Sequence, residues 1–207
     1  YDMEFLFSDN VKPVIVSPPA RHPILFIIWF EWSLRNALKK CQIDVFLSFD
    51  GFLCLGSKIP QVLIVHDIAY AHFPQYLPFK NRKYYQYFMP KFLKRANKLI
   101  TVSQFVKHDV LDKFPVLKSK GISVAHNALP SHFNNEPSIK NSYLDHPYFI
   151  VPGSIHPRKN TLNILKAFKA FIIETKLNFK IVFVGKFMWQ PDEELHCFWK
   201  EMAVDKL

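Results

Sequence analysis

The segment Val151–Asn160, VPGSIHPRKN, is the strongest candidate for chemistry, because a buried strand pattern leads through Gly153 and Ser154 into a helix start. A helix N-terminus offers unpaired backbone N–H groups and partial positive charge, and Arg158 and Lys159 add two full charges beside it. These groups predict a diphosphate-binding turn. A solvated basic turn would explain the same residues, and the segment contains neither GxGxxG nor GxxxxGK[ST].

A second candidate is the pair His66 and Asp67, which directly follows the apolar run Val62–Val65. In open α/β sheets, ligands bind outside the carboxyl ends of the strands, so this pair is placed to contact a polar substrate. The alternative is that both side chains only cap the strand and satisfy local backbone groups.

A third candidate is the stretch 81–98, which interleaves aromatic and basic residues. Such a helix could lie on an anionic bilayer or bind single-stranded nucleic acid, and it could also be a core helix with a solvated basic face. The net charge of +10 favours a polyanionic partner without choosing among these.

The elements that must position these residues follow a βαβ rhythm, in which short β-branched and aromatic runs alternate with helical patterns. We predict strands at Val11–Val16, Val45–Phe49, Val62–Val65, Leu99–Val102, Ile122–Ala125, Tyr148–Val151 and Lys180–Val184. We predict helices at Ile24–Lys39, Lys80–Ala96, Gln104–Phe114, Thr161–Lys176 and Asp192–Val204. Several strands are apolar without alternation, as in a parallel sheet buried on both faces.

Local signals refine the helices. Ser103 and Asn160 stand where an N-cap is needed. Leu162, Leu165, Phe168 and Ile172 recur at helical spacing and predict one buried stripe. Pro90 should kink or split the helix that contains it.

Between Pro130 and Pro147 the alternation of strand and helix patterns is interrupted, and the residues there have the composition of a linker. We therefore predict an α/β chain with a first domain and linker over residues 1–142 and the beginning of a second domain over 143–207.

Three cysteines without CxxC spacing predict neither a disulfide framework nor a zinc site, but reduced and mostly buried thiols. The longest apolar run, Ile24–Phe30, is too short to span a membrane. No signal peptide is visible, and because the chain begins at Tyr1 we expect its true N-terminus to be missing.

Five segments taken together, in this order and spacing, resemble the family 4 glycosyltransferases. They are VHDIAYAHFPQYLP (65–78), FMPKFLKRANKLITVSQFVKHDV (88–110), ISVAHNA (122–128), YFIVPGSIHPRKN (148–160) and FKIVFVGK (179–186). Within that family the chain is similar to bacterial mannosyltransferase-type enzymes that build surface polysaccharides.

The resemblance implies a GT-B architecture, with a Rossmann-like parallel-sheet acceptor domain followed by a Rossmann-like nucleotide-sugar domain. It implies transfer of a hexose such as mannose from a GDP- or UDP-linked donor to a glycan or lipid-linked acceptor, with retention of configuration. No metal and no cofactor are implied. The expected location is cytoplasmic, with peripheral contact of residues 80–98 at the inner membrane face.

The resemblance also assigns roles to residues. Arg158 and Lys159 would bind the donor diphosphate, and His66 would lie beside the transferred sugar. From their positions in the same segments we add Gly153 and Ser154 to the donor-binding residues and Asp67 to the catalytic residues. Two departures matter: Ser154 stands where a common family variant has Arg, and Ala128 replaces the usual glycine after Asn127.

The family's glycine-rich loop and paired glutamates are expected outside this stretch, so the fragment alone is expected to be inactive. Two other functions remain open. One is a sugar-nucleotide epimerase of the same fold, and the other is a basic α/β module that binds nucleic acid.

Overall fold

The computed structural model describes residues 10–17, 23–129, 146–186 and 193–201. The chain forms two compact units, Tyr1–Leu129 and Pro130–Leu207. Both are α/β, which confirms the predicted fold class.

Residues 10–17 form no strand, so the prediction of a strand at Val11–Val16 is wrong. Pro13 lacks a backbone N–H, and within the described chain no strand pairs with this run. Val14 and Ile15 are consequently exposed. Hydrophobic, β-branched residues form a strand only where a neighbouring strand accepts their hydrogen bonds.

The first helical segment combines α1 (Pro23–Ile28), a π-helical stretch (Trp29–Leu34) and α2 (Arg35–Lys40). The helix predicted at Ile24–Lys39 is confirmed, but nothing in the sequence indicated its π-helical middle. Phe30, Leu34 and Leu38 recur every four residues and are buried in a small core with Cys54.

The sheet of the first unit has four parallel strands in the order β1-β2-β3-β4. The strands are β1 (Phe46–Ser48), β2 (Gln61–Val65), β3 (Lys98–Thr101) and β4 (Ile122–Val124). Between them lie α3 (Ala69–His72), a 3-10 turn (Pro74–Tyr76), α4 (Phe79–Arg95), α5 (Gln104–Lys113) and a 3-10 helix (Pro115–Lys120). These four strands match their predicted positions to within one residue.

The main core lies between this sheet and its helices. Leu63, Val65 and Leu99 of the strands are buried with Phe92 of α4 and Val110 of α5. The two inner strands, β2 and β3, supply most of these strand side chains, as expected for a parallel sheet covered by helices.

Helix α4 runs unbroken through Pro90, so of the two predicted outcomes, a kink or a split, the split does not occur. The proline removes one backbone hydrogen bond, at a cost of about 3 kcal/mol. Its ring lies in solvent, while Met89, Phe92 and Leu93 pack into the core and hold the helix in place.

Two cations fix the C-terminal end of α4. The Arg95 guanidinium donates to the carbonyls of Ser57 and Ile59, the latter at 3.2 Å. The Lys120 ammonium donates to the carbonyls of Leu93, at 3.0 Å, and Lys94. Burial, together with the nearby Arg95 charge, lowers the pKa of Lys120. Arg95 is therefore a structural residue and not part of a free basic face.

The second unit contains two parallel strands, β5 (Tyr148–Pro152) and β6 (Lys180–Val184). It also contains a 3-10 turn (Pro157–Lys159), α6 (Thr161–Thr175) and α7 (Glu193–Glu201). Leu165 of the predicted stripe is fully buried, and Leu162, Phe168 and Ile172 are half-buried. The predicted helix at Asp192–Val204 is confirmed over 193–201, and its remaining residues lie outside the described chain.

The two predicted N-caps differ. Ser103 caps α5, with its Oγ accepting from the Val106 N–H at 3.1 Å. Asn160 adopts a left-handed conformation (φ 56°) and makes no side-chain cap; its Oδ1 instead accepts from Asn163 Nδ2 at 2.9 Å. Asn160 therefore occupies the predicted N-cap position of α6, but the predicted capping bond from its side chain is absent.

The cysteines are free, but only Cys54 is buried, whereas Cys41 and Cys197 are exposed. The prediction of mostly buried thiols is therefore wrong. In the part of the chain that the structure describes, no helix has the length and apolar character required to cross a bilayer.

Candidate functional site

His66 stands at the carboxyl end of β2, where its imidazole is tied to the neighbouring strand. Its Nε2 lies 2.9 Å from the carbonyl oxygen of Phe49, which follows β1. A carbonyl can only accept, so Nε2 carries the hydrogen. In the neutral ring Nδ1 is then an acceptor, and within the described residues it has no hydrogen-bond partner.

Asp67 begins the turn into α3. Its Oδ1 accepts from the Ala69 N–H at 2.9 Å, which is the local backbone contact expected of a capping aspartate. Both Asp67 and His66 are exposed. The capping alternative therefore accounts for one oxygen of Asp67 and for Nε2 of His66, and Nδ1 of His66 remains open to a ligand at the exposed edge.

Helix α3 is held in place from two sides. His72 Nε2 lies 2.7 Å from Asp109 Oδ1 on α5. Tyr70 stacks on Tyr85 of α4, with ring centroids 5.3 Å apart. These contacts fix the turn that carries His66 and Asp67.

The hydroxyl of Tyr70 is buried without a hydrogen-bond partner among the described residues. Burial raises the pKa of Tyr70, and the Asp67 charge adds to this effect. The phenol is consequently a protonated donor close to the candidate site.

A second histidine occupies the same edge, and the sequence analysis did not single it out. His126 follows β4, and its Nδ1 lies 3.1 Å from the carbonyl oxygen of Val102, which follows β3. Its position could have identified it from the sequence, because His126 stands just beyond a strand, as His66 does. The strand between them ends at Thr101, whose buried hydroxyl donates to the Ser103 carbonyl at 3.2 Å.

In the second unit, the loop after β5 folds under a lysine side chain. Gly153 has φ +114°, which favours glycine, and its N–H donates to the Val184 carbonyl at 2.8 Å. A Cβ added at Gly153 would lie 4.0 Å from Lys159 Cε, so the aliphatic stem of Lys159 lies over the loop. The half-buried Ser154 continues the loop, and the buried Ile155 anchors it.

Arg158 and Lys159 lie on the 3-10 turn between this loop and α6, and not on α6 itself. The turn is set by His156, whose Nδ1 accepts from the Arg158 N–H at 3.2 Å. Both cationic side chains are exposed, and neither forms an ion pair with any described carboxylate. The structure thus brings Lys159 and Gly153 together beside the N-terminus of α6.

Gly185 is a further residue on which this loop depends. An added Cβ there would lie 2.0 Å from the carbonyl oxygen of Gly153, so the loops after β5 and β6 pack backbone against backbone. The glycine directly after the apolar run of β6, in the sequence VGK, was the available signal for this close approach.

Within the described ranges, no group of three or more His, Cys, Asp or Glu side chains is placed to hold a metal ion. The two sites offer hydrogen bonding by imidazole at the sheet edge and cationic groups for an anion at the loop before α6.

Comparison with known proteins gives two findings. The model of the family described as Glycosyltransferase Family 4 matches residues 2–132, which is more than half of the chain. The chain is also 22% identical over 137 residues to a protein of Escherichia coli described as O-antigen chain mannosyltransferase B. That match covers 63% of this chain and 36% of the relative. The family match ends before Gly153, so it covers the sheet edge but not the cationic loop.

Proposed function

Because this chain belongs to glycosyltransferase family 4, we propose that the protein transfers a hexose such as mannose from a nucleotide diphosphate sugar to a glycan or lipid-linked acceptor. Retention of configuration and independence of an essential metal ion are part of this proposal. The observation that carries it is the family match over residues 2–132, and the mannosyltransferase description of the E. coli relative supports the choice of sugar.

The proposed donor site is the loop of Gly153 and Ser154 together with Arg158 and Lys159. The position of the Lys159 stem over Gly153 supports it, because the ammonium is carried close to exposed loop backbone. The N-terminus of α6 adds partial positive charge. An arginine can bind phosphate oxygens through paired hydrogen bonds, and a lysine adds a mobile point charge as the diphosphate leaves.

The proposed catalytic edge is His66 with Asp67. Since Nε2 of His66 is held by the Phe49 carbonyl, Nδ1 of the neutral ring can accept a hydrogen bond from a sugar hydroxyl. Asp67 holds the turn through the Ala69 N–H, and so keeps the imidazole where the strand ends.

The test is a calorimetric titration of the full-length protein with GDP-mannose and UDP-glucose, followed by measurement of nucleoside diphosphate release with and without EDTA. Saturable binding of one donor and release that EDTA leaves unchanged are expected. An epimerised sugar in place of transfer or hydrolysis would favour the epimerase. Salt-sensitive binding of single-stranded RNA, with no binding of either donor, would favour the nucleic-acid module.

We also propose that one face of α4 contacts an anionic membrane surface. Lys80, Lys83, Tyr87, Lys91 and Lys94 recur at spacings of three and four residues, so they share a face, and all are exposed. Lys91 Nζ lies 3.3 Å from the centroid of the Tyr87 ring. Four cations around an exposed tyrosine complement anionic lipid headgroups.

Liposome co-sedimentation tests this contact. Charge reversal of Lys91 and Lys94 should weaken binding to vesicles that contain acidic lipid, and reversal of two lysines on α5, Lys107 and Lys113, is the matched control. Equal binding of the wild type to neutral and acidic vesicles would contradict the proposal. Arg95 is left unchanged, since its guanidinium holds the Ser57 and Ile59 carbonyls.

A further inference from the structure

His126 is held at the sheet edge in the same manner as His66. Each histidine follows a strand, and each ring bonds the backbone carbonyl that follows the adjacent strand, Phe49 for His66 and Val102 for His126. The two bonds use different nitrogens, Nε2 in His66 and Nδ1 in His126. Each carbonyl therefore fixes the hydrogen on one nitrogen and leaves the other nitrogen of the neutral ring as an acceptor.

The register places the two histidines on one edge. Val65 pairs with Thr101, and Thr101 pairs with Val124, so His66 and His126 lie one and two residues beyond aligned positions. They are separated by two strand spacings, about 10 Å at the backbone. The ladder continues to the Ala125 N–H, which donates to the Thr101 carbonyl at 3.0 Å, so the backbone is fixed up to His126.

We propose that His126 is a second substrate-binding residue, whose Nε2 accepts a hydrogen bond from a hydroxyl of the sugar substrate held at this edge. The proposal rests on the proposed function, since it requires a hydroxyl-rich ligand there. His126 is exposed, and within the described residues its Nε2 has no partner. Sugar hydroxyls are donors that match such an acceptor, and a fixed ring loses little side-chain entropy when it binds one.

Two substitutions of His126 distinguish substrate binding from structural support, because each keeps a different one of the two hydrogen-bonding functions of the ring. In His126→Asn the side-chain amide can still donate to the Val102 carbonyl, but the distal acceptor is lost. In His126→Gln an acceptor remains near the position of Nε2, but the short bond to Val102 is lost. The assay is release of nucleoside diphosphate by the full-length protein from GDP-mannose and UDP-glucose, with a thermal unfolding midpoint for each variant.

The expected result is that His126→Asn keeps the wild-type midpoint and loses about tenfold in kcat/KM, the loss of one hydrogen bond to substrate. His126→Gln should retain more activity than His126→Asn despite a lower midpoint. If His126 only supports the fold through its bond to Val102, His126→Asn should be more active than His126→Gln. Equal or reversed activities therefore overturn the inference, while an inactive wild type refutes the proposed function on which it rests.

Discussion

The imidazole Nε2 of His66 and the carbonyl oxygen of Phe49 lie 2.9 Å apart, joining the carboxyl ends of two adjacent strands. This bond selects the tautomer of His66 and holds the ring where a ligand of an open α/β sheet would bind. It also separates the two uses of the side chain, since one nitrogen supports the fold and the other faces no described partner.

Replacement of His66 by glutamine should therefore impair turnover more than stability. The amide of glutamine can still donate to the Phe49 carbonyl, while the Nδ1 acceptor is lost. We expect kcat/KM to fall about tenfold or more, with a thermal midpoint close to that of the wild type. His66→Ala, which removes both functions, should lower both quantities. Parallel losses of midpoint and activity in His66→Gln would favour the capping alternative.

Removal of either loop cation should weaken the proposed stabilisation of the leaving diphosphate. We expect Arg158→Ala and Lys159→Ala each to lose at least ~1.4 kcal/mol of transition-state stabilisation, about tenfold in kcat/KM. Lys176→Ala, at the exposed C-terminal end of α6, is the control. Transfer rates are measured with chelator present throughout. Wild-type rates in both loop variants would show that this turn is a solvated basic surface.

We expect Glu31 to contribute to the stability of the fold, although it lies in an apolar stretch of sequence. Its two carboxylate oxygens accept from the Leu55 and Gly56 N–H groups, each at 2.7 Å. Glu31→Ala leaves both donors without this partner and should cost ~1–3 kcal/mol, as read from urea unfolding. Glu31→Gln, which keeps one acceptor oxygen, should lose less. Asp112→Ala on α5 removes an exposed carboxylate and should change little.

Stability should fall at alkaline pH because of three half-buried tyrosines. Burial raises the pKa of Tyr70, Tyr84 and Tyr85 above the usual 10.0. Above pH 10.0 the unfolded chain therefore releases phenolic protons that the folded protein keeps, so the free energy of unfolding decreases as pH rises. Lys120, with its lowered pKa, acts in the opposite direction below 10.5.

Urea midpoints at about pH 9 and about pH 11 measure this effect. Tyr70→Phe should reduce the alkaline loss, and it should not destabilise the protein at neutral pH, since it removes an unpaired buried hydroxyl. Tyr87→Phe, which removes a hydroxyl at a 60% exposed position of the same helix, is the control. A wild-type midpoint that rises across this interval would show that the phenols do not dominate.

Local patterns in the sequence account for the repeating units of the fold. Six of the seven predicted strands and all five predicted helical segments are present, because strands of a parallel sheet and amphipathic helices each leave a local pattern of apolar residues. The same local reasoning placed His66 at a strand end, and Ser103 at a helix start where its hydroxyl caps the Val106 N–H. The strand and helix patterns also placed Gly153 in the loop between β5 and α6. It failed at Val11–Val16, where strand formation depends on a distant partner.

The contacts between residues far apart in the sequence follow from the assembled fold. Glu31 binds the backbone of Leu55, and Arg95 binds the carbonyl of Ile59. His126 is held by Val102, and Gly185 packs against the Gly153 backbone. Side-chain hydrogen bonds depend on positions and directions to within a few tenths of an ångström, and those follow from the packing of whole elements rather than from residue spacing. The helices and strands were therefore encoded locally. The assembled fold set the tautomer of each edge histidine, and it set which cationic side chains bind backbone carbonyls and which are exposed.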